Sequence, residues 1–505
     1  MTNRTDRPAR PTHIRAFGLI ALLATIAAAP AAAQTKAPAK TQALTPARLA
    51  ARIAAIIDTG AIARGYWGIE VRDIKTDALV YARNAHGLFV PASSMKLIVS
   101  ATAAHHLPAD FRYRTGFYAT GSVAGGVLSG DLIVRGRGDP TISGRNQKSR
   151  TSIFEAVADS LRAHGVQRIT GRIIADQTYF DAEHVRSDWE LYDLNWWYAA
   201  PVAPLGFNDN AVDFRVAAGA AGAPAQITWE PKTSDFVFSN RTRTVSAGAP
   251  YTLDFDRVPG TDTVYAYGEI PADAAVRNES FATRNPGKYA ATVLRETLER
   301  QGVDVGVDDV RVVDSPTTSP SATATLLFEH ASPPLPQIIG PILQNSQNWF
   351  AEQLSKTIGR EISGDGSWDA GLNLERRFLI DNVGIDSTEF RLRDASGLSS
   401  SNLITPHMLT ELIRYLANQP HMRPAFDAMS VSAAPTGSLR RRFEDLPGRV
   451  RAKTGSIGNV DSLTGLVETD SGRVLAFCIV VNNSGQPSSR MRDVIDRIVR
   501  QMAKL

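Results

Sequence analysis

Residues 91–96 read Pro91-Ala92-Ser93-Ser94-Met95-Lys96 and open a run of small and apolar residues that continues to Ala104. The run predicts a helix, and a spacing of three puts Ser93 and Lys96 on one face of it. A serine hydroxyl is a poor nucleophile at neutral pH and needs a base within hydrogen-bond reach. A lysine can be that base if lost hydration or nearby positive charge disfavours its ammonium form. The start of a helix also favours developing negative charge. Alone, the pattern is weak, because an N-capping serine and a solvated lysine fit it as well. It occurs only once in the chain.

Two further patterns lie far downstream. Ser346-Gln347-Asn348 is an S-x-N: its hydroxyl can relay a proton, and its amide offers a donor and an acceptor to a substrate backbone. By itself it carries little, since Ser400-Ser401-Asn402 matches too and Ser346 also reads as a helix cap. Lys453-Thr454-Gly455-Ser456 ends a strand that starts Arg449-Val450-Arg451-Ala452. The lysine and hydroxyls can bind a substrate carboxylate, and Gly455 lets a ligand backbone come close. The Ser456 and Ser93 N–H groups can form an oxyanion hole. S-x-x-K, S-x-N and K-T-G in this order, at a helix start, a loop before a helix and a strand end, form the trio of penicillin-binding proteins and class A β-lactamases. Gln347 stands where that trio has Asp.

The chain has 505 residues, enough for two or three domains. Arg4, Arg7, Arg10 and Arg15 precede an apolar stretch, Ala16 to Ala29, and then Pro30-Ala31-Ala32-Ala33. That predicts a cleaved signal peptide over 1–33 rather than a bilayer span, which needs about 20 apolar residues. Residues 34–44 read as a flexible leader. A catalytic region is expected over 45–106 and 283–505. The Gly-, Thr- and Val-rich stretch 107–282 is expected as an insertion of two β-rich subdomains, and 315–336 as a loop. The fold class is α/β (α+β). The single cysteine, Cys478, lies in an apolar strand and reads as packed, not reactive. No H-E-x-x-H or cysteine pair points to a metal, and neither a metal nor another cofactor is expected. His105-His106 read as the end of the nucleophile helix. A net charge of +4 permits loose attraction to anionic polymers, while the lack of a basic, aromatic-interleaved run leaves nucleic acid without support.

The chain resembles the D-alanyl-D-alanine carboxypeptidase/endopeptidase family of low-molecular-mass penicillin-binding proteins (class C, penicillin-binding protein 4 type, serine peptidase family S13). Besides the trio, the resemblance rests on Gly138-Asp139-Pro140-Thr141, Thr170-Gly171-Arg172-Ile173 through Asp176 and Phe180, Asp394-Ala395-Ser396-Gly397-Leu398-Ser399, and Gly437-Ser438-Leu439. The long gap between Lys96 and Ser346 separates it from class A β-lactamases. The resemblance implies a transpeptidase-like domain, with an antiparallel sheet between helices, its first strands paired with its last, and domains inserted after the nucleophile helix. It implies that Ser93 is acylated with loss of D-Ala, Lys96 is the base and Ser346 shuttles the proton. Asn348 and Lys453 would orient the substrate, Thr454 and Ser456 would receive its carboxylate, and water would release the acyl group. Asp176 is the expected insert carboxylate for the amino end of a diaminopimelate side chain. Ser400 replaces an arginine frequent in relatives, and Asp139 reads as a turn former. Peptidoglycan stem peptides, β-lactam inhibitors and a periplasmic location follow as expectations. Peripheral membrane association and a homo-oligomer stay open, as do two rival readings: a serine β-lactamase or esterase, and an inactive wall-binding scaffold.

Overall fold

The computed structural model describes residues 44–145, 147–314 and 319–505. The expected signal segment and the leader up to residue 43 lie outside them. Strand Val474–Asn482 shows how the centre is built. It is apolar almost throughout, and alternate side chains face opposite ways. Leu475, Phe477, Ile479 and Val481 pack with helix Pro46–Ile57 and the last helix, Ser488–Met502. Ala476, Cys478 and Val480 face a second core with helices Lys96–His106 and Pro406–Asn418. Each fully buried Leu, Ile or Phe of these layers contributes about 1.5–3 kcal/mol. Cys478 is sealed inside, and burial pushes its thiol up to about 12, the environment of an inert sulfur.

Six antiparallel strands form this sheet, in the order Leu79–Arg83, Tyr66–Asp73, Val474–Asn482, Val460–Glu468, Val450–Ile457, Ser430–Val431. The first strands therefore pair with the last, Tyr66 opposite Asn482 through Asp73 opposite Leu475. The strand carrying Lys453 lies next to the short edge strand, with the turn holding Ser93 packed against it.

The insertion differs from the expected 107–282. Its five-stranded sheet runs Arg311–Val313, Ile173–Asp176, Leu132–Arg135, Arg114–Ala119, Thr325–Ala331, so pairing continues to Ala331. Helix Pro286–Arg300, expected in the catalytic region, buries Leu294 and Leu298 in one core with Ile173 and Ala175. At the other end, Leu107 and Tyr113 belong to the catalytic core. A helical period reveals an apolar face but not the partner that covers it, which is why 283 looked like the return. The stretch 315–336 is not all loop either. Its strand Thr325–Ala331 reads T-L-L-F-E-H-A, a weak alternation overshadowed by the Pro/Ser/Thr run before it. Residues 211–270, which read as almost wholly β, form short strands separated by turns, in small sheets such as Gln226–Glu230, Ala211–Ala217, Arg277–Ala282.

Candidate active site

Ser93 lies in a 3₁₀ turn, Ala92–Met95, and the α-helix proper begins at Lys96. Ala92 just before it has φ +49°, a left-handed value rare for a side-chain-bearing residue. The turn presents Ser93 to the cleft while sealing Lys96, which is 0% exposed. Lys96 Nζ lies 2.9 Å from Ser93 Oγ, 2.7 Å from Asn348 Oδ1 and 2.6 Å from the Ser396 carbonyl oxygen. Burial lowers its pKa from the ordinary lysine value to about 7, and the more distant Asp394 and Glu352 charges only partly restore it. A neutral amine has two N–H groups and one lone pair. Asn348 and Ser396 take the two N–H groups, which leaves the lone pair facing Ser93 Oγ.

Lys453 is also 0% exposed, and its Nζ donates to Ser346 Oγ at 2.9 Å and to the Thr454 carbonyl at 2.6 Å. Burial, then the Lys96 charge, hold it well below the lysine range. Ser346 sits at φ +62°, on the turn between helices Leu335–Gln344 and Asn348–Ser363. The lysine nitrogen nearest its hydroxyl is thus that of Lys453, not the expected Lys96. Asn348 donates from Nδ2 to the Tyr198 carbonyl at 2.7 Å and accepts from Lys96 at Oδ1, and its second N–H and second lone pair take no part in these bonds.

Gly455 makes its close approach to the protein's own backbone rather than to a ligand. A Cβ there would lie 2.9 Å from the Pro91 oxygen and 3.0 Å from the Ser93 nitrogen. Strand alternation puts Thr454 and Ser456 on the opposite face from Lys453 and Gly455. The Ser456 hydroxyl lies 2.8 Å from that of Ser488, which in turn donates to Asp461. Ser93, Ser346, Asn348 and Ser456 share one cleft of about 490 Å³, completed by Gly397, Leu398, Ile457 and an arm of the insertion.

That arm corrects the expectation for Asp176. Asp176 is 0% exposed and does not line the cleft; its oxygens accept from Thr178 N and Oγ1 and from the Ser319 and Ser321 hydroxyls. It closes a turn after its strand. The insertion carboxylates that do line the cleft are Glu190 and Asp193, beside Trp197 and Tyr198, with Tyr198 donating to Asp193 at 2.9 Å. The acidic–aromatic run Trp189-Glu190-Leu191-Tyr192-Asp193 was the available signal. Ser400, in place of the frequent arginine, is exposed on its turn.

The Ser396–Ser399 loop is pinned by two buried carboxylates that motif reading left without a role. Glu352, one helical turn after Asn348, accepts from Ser396 N at 2.7 Å, Ala395 N at 3.2 Å and Trp368 Nε1 at 2.7 Å. Asp394 accepts from the amides of Gly397 (2.7 Å) and Ser399 (2.6 Å) and from Asn402 and Trp189. Burial, then the Asp394 charge, push the Glu352 carboxyl up. Away from the cleft, Glu70, His407 and Glu411 lie close enough to share a cation. Arg72 is 2.5 Å from Glu70 and Arg414 is 2.5 Å from Glu411, so these carboxylates are already paired.

A family profile described as the D-Ala-D-Ala carboxypeptidase 3 (S13) family matches residues 49–505. A D-alanyl-D-alanine carboxypeptidase of Actinomadura sp. (strain R39) is 32% identical, over 86% of this chain and 81% of that relative. The carboxypeptidase DacB of Haemophilus influenzae is 25% identical, over 82% and 85%. Among solved structures, penicillin binding protein 4 from Haemophilus influenzae superposes with a TM-score of 0.78 at 22% identity, covering 90% of this chain and 98% of that one, which shows a shared fold. Given a match that spans the whole six-stranded sheet and the insertion between its first and last strands, the chain belongs to the D-Ala-D-Ala carboxypeptidase (S13) family.

Proposed function

We propose that Ser93 is the nucleophile of this serine D,D-peptidase and that its substrates are D-Ala-terminated stem peptides of peptidoglycan. The observation that carries the reading is the Lys96 amine, buried, held by two acceptors and aimed at Ser93 Oγ. Neutral Lys96 takes the Ser93 proton as Oγ bonds to the carbonyl carbon of the penultimate D-Ala. The Ser93 and Ser456 amides receive the oxyanion. As the C–N bond breaks, the Ser346 hydroxyl gives its proton to the leaving amine and takes in return the proton that Lys96 removed from Ser93, so both lysines end as they began. Thr454 and the amide-bearing strand edge hold the terminal carboxylate, and water then frees the acyl group. A β-lactam acylates the same oxygen and, lacking a departing fragment, stays bound.

Mass spectrometry after penicillin treatment tests this. One adduct is expected on the wild type and none on Ser93→Ala; rapid turnover without an adduct would favour a β-lactamase. Asp193 and Glu190 replace Asp176 as partners for the amino end of the substrate side chain. Asp193→Asn is expected to raise KM for a diaminopimelate-bearing peptide roughly tenfold with kcat little changed. The proposal includes cleavage after Ala33 on export to the periplasm, checked by N-terminal sequencing of the mature protein. It also includes an insertion bounded by 114–331. Among the described residues no helix is long and apolar enough to cross a membrane.

A further inference from the structure

Beyond the cleft, the arm of the insertion meets a second surface. Glu190 and Asp193 line the cleft, but the two residues between them turn outward, Leu191 being 84% exposed and Tyr192 53%. The Tyr192 hydroxyl donates to Asp254 at 3.1 Å, and Asn195 Nδ2, on the same arm, donates to Asp256 at 3.0 Å. These bonds dock the arm on a three-stranded sheet, Val237–Asn240, Thr263–Tyr267, Asp254–Arg257. We propose that the outer face of this sheet, together with Tyr192, holds the glycan strand from which the stem peptide hangs. The inference rests on the reading of the cleft as a D,D-peptidase for stem peptides and adds a sugar site to it.

Strand alternation gives the sheet two unlike faces. Phe255, Val264 and Ala266 point inward and are buried in the core of the insertion. Asp254 stands opposite Tyr267 and Asp256 opposite Tyr265, so these four share the outer face. Ser239, on the third strand, pairs with Tyr265 and joins them. The Tyr265 and Tyr267 rings are 5.7 Å apart, and Tyr267 is 40% exposed. The Arg241 guanidinium lies 4.6 Å from the centre of the Tyr265 ring.

This combination suits a sugar. A pyranose has a face of C–H bonds and a rim of hydroxyls. The C–H face packs against an aromatic ring, whose face carries negative charge density. The hydroxyls donate to carboxylates and accept from an arginine. Asp254 and Asp256 already accept from neutral donors, Tyr192, Asn195 and Tyr265, which are donors of the kind a sugar hydroxyl supplies. A purely apolar partner would strip water from both carboxylates and return nothing. The spacing agrees as well. Under the proposed function Asp193 meets the amine of the diaminopimelate residue. Two residues and an ether-linked lactyl group separate that residue from the sugar, about 10 Å when extended. Tyr192 is the chain neighbour of Asp193, and its hydroxyl reaches Asp254 while the Asp193 carboxylate is held by Tyr198. Peptide and glycan are thus met by adjacent residues of one arm.

The test compares D-Ala release from a disaccharide-pentapeptide and from the same pentapeptide without sugar. It uses the full-length protein, Tyr267→Ala, Asp254→Ala, and Tyr267→Phe, which keeps the ring; all three substitutions lie outside the catalytic cleft. The wild type is expected to favour the sugar-bearing substrate about fivefold in kcat/KM. Tyr267→Ala and Asp254→Ala should bring that ratio to within about twofold of unity, with the bare pentapeptide and penicillin acylation unchanged, while Tyr267→Phe retains most of it. Saturation-transfer NMR with peptide-free glycan strands reads the face without chemistry, and a signal is expected from the wild type and not from Tyr267→Ala. Equal rates on the two substrates in the wild type overturn the inference, as does an absent strand signal. A ratio unchanged in both Ala variants also overturns it and leaves the face to a partner of another class. A parallel loss on both substrates overturns it in favour of a structural role. A wild type that releases D-Ala from neither substrate overturns the proposed function, and the strand signal then still decides the inference.

Discussion

Lys96 and Lys356 are both fully buried lysines, one at the cleft and one where the catalytic helix Asn348–Ser363 meets the insertion. Lys356 Nζ donates to the Asp181 carboxylate at 2.5 Å and to the Glu183 carbonyl at 2.7 Å, and lies 4.1 Å over the Trp368 ring. Lys96 Nζ touches only neutral oxygens, with its nearest acidic groups, Asp394 and Glu352, held behind the Ser396–Ser399 loop. Under the proposed mechanism the same burial yields a strut in one place and a base in the other. What separates them is whether the counter-charge is in contact or one layer away.

The largest effect that tests this contrast is on rate. Lys96→Ala is expected to slow acylation by penicillin about a thousandfold, the scale of a lost general base, while leaving a folded protein by circular dichroism. A loss below tenfold in stopped-flow acylation would remove Lys96 from the base role. Next comes stability. Lys356→Met should lower stability by about 2 kcal/mol in denaturant titration, because Asp181 loses its partner but stays partly in water. Its acylation rate should be close to wild type, and a large rate loss would erase the distinction between the two lysines.

The pH dependence sharpens it further. Lys96 must be neutral to act, and its pKa is lowered to about 7. The acylation rate should therefore be flat above about pH 8 and fall about tenfold per unit well below pH 7. An acid limb near pH 10 would mean that burial does not set the base. The smallest effect concerns the layered counter-charge. Glu352 raises the Lys96 pKa, so Glu352→Gln should move that limb to lower pH, increasing the ratio of the rates at pH 6 and pH 8 about twofold. A shift upward would reverse the assigned sign.

Much of this site was legible without a structure. Ser93, Lys96, Ser346, Asn348 and Lys453 meet as the three motifs require, because each motif is local and each local geometry carries its chemistry to the right end of a helix or strand. Asp176 was not legible. The D-x-x-x-F pattern marks a carboxylate at a strand end, but the sheet turned it inward and the cleft was reached instead by Asp193, further along the chain. Nor was the length of the insertion legible, since Leu294 and Leu298 show only that their helix has an apolar face.

By itself the sequence determined the spacing of Ser93 and Lys96 that the proposed mechanism uses, and the alternation that makes Val474–Asn482 a two-sided central strand. These follow from spacing along the chain, which covalent geometry and regular secondary structure convert directly into position. Only the tertiary structure decided which buried lysine has a carboxylate in contact and which insertion carboxylates line the cleft. Both depend on desolvation and on distances between segments hundreds of residues apart, and electrostatic energy inside a protein is set by that surrounding packing rather than by the identity of the residue.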